Sequence, residues 1–122
     1  MAIRALIVDD EAQMRGLLAL TLGRAGVEHI LQAANGQEAV SLFSNEDVNL
    51  VFLDLNMPKE DGFSVLKKFK EHNADAYVII VSAESSVEIL RKALSLGAKG
   101  FVVKPYQASK INDAVQRYLS TV

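Results

Sequence analysis

The sequence predicts an α/β fold built on an open sheet of five parallel strands. Short apolar runs alternate along the chain with segments of helical periodicity, and this alternation is typical of βαβ units with right-handed crossovers. The runs are continuously apolar, as expected for strands that helices cover on both faces.

The first strand and helix occupy the N-terminal part of the chain. Residues 5–8 form an apolar run that ends at Asp9 and Asp10. Gly26 stands where the C-terminal cap of the following helix is expected. The inner stripe of that helix, at helical spacing, consists of Met14, Leu17, Leu18, Thr21, Leu22 and Ala25.

The second unit joins a less apolar strand at residues 29–33 to a helix that begins near Asn35. Asn35 and Glu38 have the spacing of a capping box, in which each side chain binds a free N–H at the helix start. The inner face of this helix consists of Ala39, Val40 and Phe43.

Three further strand–helix units complete the chain. Their strands are the apolar runs at residues 50–53, 77–81 and 101–103, and each is followed by an amphipathic helix. A turn at Met57 and Pro58 precedes the first of these helices. Their inner residues are Val65, Leu66, Phe69, Ile89, Ala93, Leu96, Ile111, Ala114, Val115 and Tyr118.

The length sets the architecture. A chain of 122 residues makes one ordinary domain, so we expect residues 1–122 to form a single domain. A closed barrel of eight βα units needs about 250 residues. The sequence therefore predicts a doubly wound, flavodoxin-like (βα)5 sheet, for which strand order 2-1-3-4-5 is a common arrangement.

Composition excludes several classes of protein. The chain has no cysteine, so it can form neither disulfides nor thiolate metal sites. A net charge of -2 provides no basic field for nucleic acid. No apolar run approaches the roughly 20 residues of a membrane span, and the N-terminal run is too short for a signal peptide. We expect a cytoplasmic monomer that binds neither nucleic acid nor membrane.

Polar residues follow four of the five predicted strands. Asp9 and Asp10 follow the first strand, Asp54 the third, Ser82 the fourth and Lys104 the fifth. Ligands of open α/β sheets bind beyond the carboxyl ends of the strands, so these side chains should converge. Each has an ordinary explanation by itself, such as a helix cap, a turn or a solvated lysine. Their joint position indicates a site.

The residue types indicate phosphoryl chemistry. Crowded carboxylates cannot all stay ionised at neutral pH without a cation, and oxygen ligands favour Mg²⁺, Ca²⁺ or Mn²⁺. Mg²⁺ is the natural choice because it binds through few carboxylates together with waters and phosphate oxygens. A lysine and a hydroxyl would hold a phosphoryl group, and an aspartate can accept it as nucleophile. A flavin or nucleotide site is disfavoured, because Asp-Asp-Glu rather than a glycine-rich loop follows the first strand.

Together these motifs resemble the receiver domains of response regulators over essentially the whole chain. The ordered set is far more specific than any single motif. The resemblance implies a switch of a two-component pathway, with single-domain chemotaxis regulators as the nearest type. The matching motifs are residues 7–11, residues 53–58, Gly62, Ser82–Ala83, Gly97–Ala98 and Lys104–Pro105.

The resemblance implies a role for each residue at the phosphoryl group. Asp54 would be the phosphoacceptor, Lys104 would pair with the phosphoryl group, and the Ser82 hydroxyl would move to meet it. Phe101 occupies the position of an aromatic switch residue, although an aromatic side chain on such a strand is more often plain core. Ser82 and Phe101 would together carry the switch.

The resemblance also implies the metal ligands. Asp10, Asp54 and the backbone carbonyl of Asn56 would bind Mg²⁺ directly, and Asp9 would act through water or the outer shell of the ion. It further implies a cis peptide bond between Lys104 and Pro105, which the sequence alone could not show, since only about 5–6% of such bonds are cis.

The expected partners are a histidine kinase as phosphodonor, a downstream protein target and a phosphatase. The flagellar motor switch is the leading target. The chain would catalyse only its own phosphorylation and dephosphorylation. The alternatives are a phosphorelay protein, a receiver domain from a larger regulator, and an aspartate-nucleophile phosphohydrolase. Such hydrolases usually carry an Asp-x-Asp pair whose second member is the acid–base, and Asn56 cannot do that work.

Two surface features bear on how the chain would contact a downstream target. Val87, Leu90 and Leu94 form a second apolar stripe on the fourth helix, within the face of fourth helix, fifth strand and fifth helix that single-domain regulators usually present to targets. Partial burial explains the stripe equally well. Three lysines of the third helix are expected to be solvated: Lys67, Lys68 and Lys70.

Overall fold

The computed structural model describes residues 3–58 and 60–122. Within these residues the five strands of the sheet are β1 Arg4–Val8, β2 His29–Ala33, β3 Leu50–Asp54, β4 Tyr77–Ser82 and β5 Gly100–Val103. The helices are α1 Ala12–Arg24, α2 Gly36–Asn45, α3 Gly62–His72, α4 Val87–Ser95 and α5 Ala108–Leu119. None of these described helices is long and apolar enough to cross a membrane.

The strands pair in parallel in the order β2-β1-β3-β4-β5. The predicted flavodoxin-like, doubly wound sheet is therefore confirmed, including its strand order. The central strands are β1, β3 and β4, whose carboxyl ends lie side by side at one edge of the sheet.

Helices cover both faces of the sheet, which explains the continuously apolar strands. Along β3, Val51 and Leu53 contribute to one core, whereas Leu50 and Phe52 contribute to the other, because successive side chains point to opposite faces. Helices α2, α3 and α4 complete the first core, and α1 and α5 complete the second.

A short antiparallel hairpin joins β3 to α3 and was not predicted. Its strands are Asn56–Met57 and Glu60–Asp61, with Asn56 opposite Asp61 and Met57 opposite Glu60. The turn predicted at Met57 and Pro58 begins the tip of this hairpin. Strands of two residues are too short for the periodicity on which sequence prediction depends.

Local signals set the helix ends as predicted. The Asn35 side chain accepts a hydrogen bond from the Glu38 N–H at 2.8 Å. The Glu38 carboxylate in turn accepts from the Ala34 N–H at 2.9 Å, one residue before the position it serves in a standard capping box. Gly26 and Gly97 follow α1 and α4 with φ of 96° and 100°, a conformation that glycine adopts without steric cost.

Lys70 contradicts the expectation that the lysines of α3 are solvated. Its ammonium group donates a hydrogen bond to the Ala76 carbonyl at 2.6 Å, and burial lowers the pKa of Lys70. Its chain also packs on Gly97, where a Cβ would lie 2.8 Å from Lys70 Cε. The buried carbonyl after α3 needs a donor, and Lys70 provides it. Lys67 and Lys68 are exposed as expected.

Candidate functional site

The polar residues predicted from the strand ends lie at the carboxyl edge of the sheet. Asp9 and Asp10 follow β1, Asp54 ends β3, Ser82 ends β4 and Lys104 follows β5. Parallel pairing places these strand ends next to one another. The edge therefore combines three carboxylates, one hydroxyl and one ammonium group.

Lys104 joins two of the carboxylates. Its Nζ atom lies 2.9 Å from Oδ2 of Asp9 and 3.3 Å from Oδ2 of Asp54. Both aspartates are buried, and Lys104 is half-buried. Charges removed from water need partners of opposite sign, and here one cation serves two anions.

The three carboxylates form a cluster that can bind one metal ion. Oxygen atoms of Asp9, Asp10 and Asp54 lie within 4.8 Å of one another. Asp10 is exposed, so the cluster opens to solvent on one side. Carboxylate oxygens are the ligands that Mg²⁺ prefers, and the surplus of negative charge favours a cation. These residues fit a magnesium site.

The electrostatics of the edge follow from burial and from the shared lysine. Burial raises the pKa of Asp54, although the Asn56 N–H, which donates to Asp54 at 3.0 Å, and the charge of Lys104 act in the opposite direction. Burial alone would lower the pKa of Lys104, but its bond to Asp9 and the charges of both aspartates outweigh burial and raise it. The lysine therefore stays charged. Its single positive charge does not balance the negative charge of the crowded carboxylates.

Ser82 reaches the cluster through Asn56. Its side chain is fully buried, and its Oγ accepts a hydrogen bond from the Glu84 N–H at 3.1 Å and from Asn56 Nδ2 at 3.4 Å. The backbone N–H of Asn56 binds Asp54. Asn56 thus links the phosphoacceptor candidate on β3 to the hydroxyl on β4.

Phe101 lies on the same face of the sheet as Ser82. It is opposite Ile80 in the pairing of β4 with β5, and Ile80 and Ser82 share a face because they are two residues apart. The ring of Phe101 is partly buried against the core of that face. The Lys104–Pro105 peptide bond is cis, as the resemblance implied.

Two further residues near the site were not predicted from the sequence. The Tyr106 hydroxyl is buried without a hydrogen-bond partner among the described residues. Burial raises the pKa of Tyr106, and the charges of Lys104 and Asp9 also act on it. Arg15 donates a hydrogen bond to the Asp9 carbonyl at 2.7 Å, which fixes the backbone at the end of β1. Neither residue belongs to a motif that sequence alone would reveal.

The fold and its acidic edge define the class of protein: a flavodoxin-like α/β domain with a carboxylate cluster at the carboxyl edge of its sheet. The family model of the response regulator receiver domain matches residues 5–116. The chain therefore belongs to the receiver domains of two-component response regulators, which confirms the resemblance inferred from its motifs.

Individual relatives agree with this assignment. The chain is 38% identical over 120 residues to the chemotaxis protein CheY of Bacillus subtilis, covering 98% of this chain and 100% of that protein. It is 35% identical over 116 residues to sporulation initiation phosphotransferase F of the same organism, covering 95% and 93%. A solved chain of the CheX-CheY-BeF3-Mg+2 complex from Borrelia burgdorferi has a TM-score of 0.91 and 34% identity, covering 96% and 89%. The similarity to CheY proteins supports phosphorylation signalling of the chemotaxis type.

Proposed function

We propose that Asp54 accepts a phosphoryl group from a histidine kinase in a magnesium-dependent reaction, and that the phosphorylated chain signals by binding a target protein. One observation carries this proposal. Lys104 joins the carboxylates of Asp9 and Asp54 at the open carboxyl edge of the sheet, so a lysine and a potential nucleophile face the same small space.

In the transfer, a carboxylate oxygen of Asp54 attacks the phosphorus of the phosphohistidine. The new oxygen–phosphorus bond forms as the phosphorus–nitrogen bond breaks, and the imidazole nitrogen keeps the electron pair and takes up a proton. Asp54 must be ionised for this step, and the Asn56 N–H and the Lys104 charge favour that form. Lys104 can then pair with a phosphoryl oxygen, and the Ser82 hydroxyl can donate to another.

The metal would be held by Asp10, Asp54 and the backbone carbonyl of Asn56, with Asp9 acting through water. A bound Mg²⁺ ion would offset the charge of the carboxylates and of the phosphoryl oxygens. This assignment is supported by the close approach of the three carboxylates and by the bonds of Lys104 to two of them.

The output surface that we propose lies on α4, β5 and α5. Val87 and Leu94 on α4 are 62% and 51% exposed. Beside β5 and α5 there is a cavity of about 560 Å³, lined in part by Phe101. A target such as the flagellar motor switch would bind here, and a phosphatase would end the signal. We place both encounters in the cytoplasm, with residues 1–122 acting as one monomeric domain.

Asn56 argues against the phosphohydrolase alternative. An acid–base aspartate would have to stand there, whereas the amide of Asn56 donates toward Ser82. We propose that the chain catalyses only its own phosphorylation and dephosphorylation. The similarity to sporulation initiation phosphotransferase F supports a phosphorelay role as a second candidate, which phosphoryl transfer from Asp54 to a second histidine protein would reveal.

The test is phosphorylation by acetyl phosphate and Mg²⁺, followed by intact mass. The parent chain and an Asp47→Asn control, which changes an exposed aspartate, should gain one phosphoryl group. Asp54→Asn should gain none, because an amide is not a nucleophile toward phosphorus. A phosphoryl group on the Asp54→Asn variant would show that Asp54 is not the phosphoacceptor. Multiple turnover of a small phosphate ester would favour the hydrolase.

A further inference from the structure

Glu60 ties the loop after the phosphoacceptor strand to the start of α2. Its Oε2 atom accepts a hydrogen bond from the backbone N–H of Gly36, the first residue of α2. The first N–H groups of a helix have no partner within the helix, and the helix dipole favours a negative charge there. A carboxylate from 24 residues further along the chain therefore caps α2.

Gly36 provides the space for this contact. A Cβ at this position would collide with the Glu60 carboxyl group and would lie 2.6 Å from Val65 Cγ2. Gly36 itself is buried. A side chain at this position would have to displace the Glu60 carboxylate and shift Val65 of α3, so glycine leaves the contact undisturbed.

Glu60 and Asn56 lie on the two paired strands of the same hairpin. Glu60 lies opposite Met57, and Asp61 lies opposite Asn56. The N–H of Asn56 binds the Asp54 carboxylate at 3.0 Å. Because Glu60 pairs with Met57, its anchor on α2 restrains Met57 and, through the chain, the carbonyl end of the adjoining residue Asn56.

The end of the hairpin at Asp61, opposite Asn56, is held independently. Asp61 caps α3 by accepting the Phe63 N–H at 3.0 Å. Gly62 lies so close to the residue that follows β3 that a Cβ there would be 2.6 Å from Leu55 Cα. The start of α3 is thus fixed without Glu60, and loss of Glu60 would free the Met57 and Glu60 end of the hairpin while leaving α3 in place.

We propose that Glu60 is a positioning residue of the phosphorylation site, which holds the Asn56 carbonyl ready for Mg²⁺ through its bond to Gly36. This inference rests on the proposed function, because it requires Asn56 to be a metal ligand. Glu60 acts through Asn56, as outer partners of metal sites commonly orient the direct ligands. Without the bond to Gly36, the ion would have to order the hairpin as it binds, which weakens affinity.

The first measurement is Mg²⁺ affinity of the full chain by titration calorimetry. Glu60→Ala should weaken binding about tenfold, the lower end of what loss of an outer partner costs. Glu60→Gln keeps an acceptor oxygen and should restore most of the affinity. Glu38→Ala is the matched control, because Glu38 caps the same end of α2 by binding Ala34 but belongs to α2 itself. Its Mg²⁺ affinity should equal that of the parent.

The second measurement is hydrogen exchange of the Asn56 amide in magnesium-free protein. Glu60→Ala should speed this exchange, and Glu38→Ala should not. Parent-like affinity in Glu60→Ala, or an equal loss in both alanine variants, would overturn the proposal, since the second result means fraying of α2. Asp10→Asn distinguishes failure of this inference from failure of the proposed function. If Asp10→Asn binds Mg²⁺ as the parent does, the proposed metal site is wrong, whatever the result for Glu60.

Discussion

The ammonium nitrogen of Lys104 lies 2.9 Å from a carboxylate oxygen of Asp9, although 95 residues separate the two in the chain. The same nitrogen lies 3.3 Å from Asp54, and Asp10 adds a third carboxylate to the cluster. Among the described residues, the ammonium group of Lys104 therefore bonds two members of a cluster of three carboxylates. Such crowding is costly unless a cation is bound or a carboxylate is protonated, and this charge imbalance determines how the site responds to mutation and pH.

Removal of one carboxylate from the cluster should weaken metal binding. We expect the parent to bind Mg²⁺ in the millimolar range, because the ion keeps its waters and uses few protein ligands. Asp10→Asn should weaken binding by about tenfold or more, since the loss of outer partners alone can cost that much. Asp75→Asn changes an exposed aspartate and should bind as the parent does. Titration calorimetry makes the comparison, and unchanged binding in Asp10→Asn contradicts the assignment of ligands.

The buried carboxylate at the end of β3 should destabilise the magnesium-free protein. Asp54→Asn is expected to raise the free energy of unfolding by about 1 kcal/mol or somewhat more at neutral pH, because burial outweighs the help of Lys104 and raises the pKa of Asp54. Urea denaturation with a chelator present measures the difference. A less stable variant at neutral pH would mean that Lys104 compensates the charge fully.

The gain in stability of Asp54→Asn over the parent should depend on pH. Burial raises the pKa of Asp54 above the ordinary value of an aspartate, so the folded state binds a proton more tightly than the unfolded chain. Protonated Asp54 thus contributes stability that is present below the unfolded pKa and is lost as the pH rises through the folded one. The advantage of Asp54→Asn should vanish in acid and appear as the pH rises. An advantage that is independent of pH would have another cause.

Removal of the Tyr106 hydroxyl by the conservative change Tyr106→Phe should stabilise the fold. The Tyr106 ring packs against the core of α1 and α5, but its buried hydroxyl has no partner among the described residues. Tyr106→Phe keeps the ring and removes the unsatisfied group, so the free energy of unfolding should rise by about 1 kcal/mol. Chemical denaturation checks this. A loss of stability would show that the hydroxyl binds an ordered water.

The sheet and the acidic edge could be predicted because their signals are local. Each central strand is a continuous apolar run, and Asp9, Asp54 and Ser82 directly follow or end such runs. Once strands are parallel, residues at their ends must meet at one edge. Sequence position therefore determined which polar groups would be neighbours before any distance was known.

The remaining features depend on geometry that no local pattern encodes. The contact of Glu60 with Gly36 exists only because a two-residue hairpin turns one side chain toward another helix. The bond of Lys70 to Ala76 depends on how the chain leaves α3. The burial of the Tyr106 hydroxyl, which has no partner within the described part of the chain, depends on what surrounds the ring. Each is a long side chain whose surroundings are set by tertiary packing.

The geometry around Ser82 would connect the proposed phosphorylation site to the proposed output surface. The Ser82 hydroxyl is held by the Glu84 N–H at the start of the loop that leads to α4. A phosphoryl group on Asp54 would offer it a charged acceptor, and hydrogen bonds to charged groups are the stronger ones. Movement of the hydroxyl would leave space on the face of the sheet that it shares with Phe101, and the partly buried ring of Phe101 could enter it. Complete burial of such a ring is worth about 1.5–3 kcal/mol, which suits a two-state equilibrium with a gap of a few kcal/mol.

Ser82→Ala should therefore separate phosphorylation from signalling. The variant should still accept a phosphoryl group on Asp54, more slowly than the parent, but its target affinity should no longer depend on phosphorylation. Ser85→Ala, which changes an exposed serine of the same loop, is the control and should keep the parent's ratio of affinities. The target is isolated with phosphorylated parent protein, and its affinity is then measured for both forms of each variant. If Ser82→Ala keeps the parent's ratio, the hydroxyl does not couple the site to the surface, and another group must carry the signal.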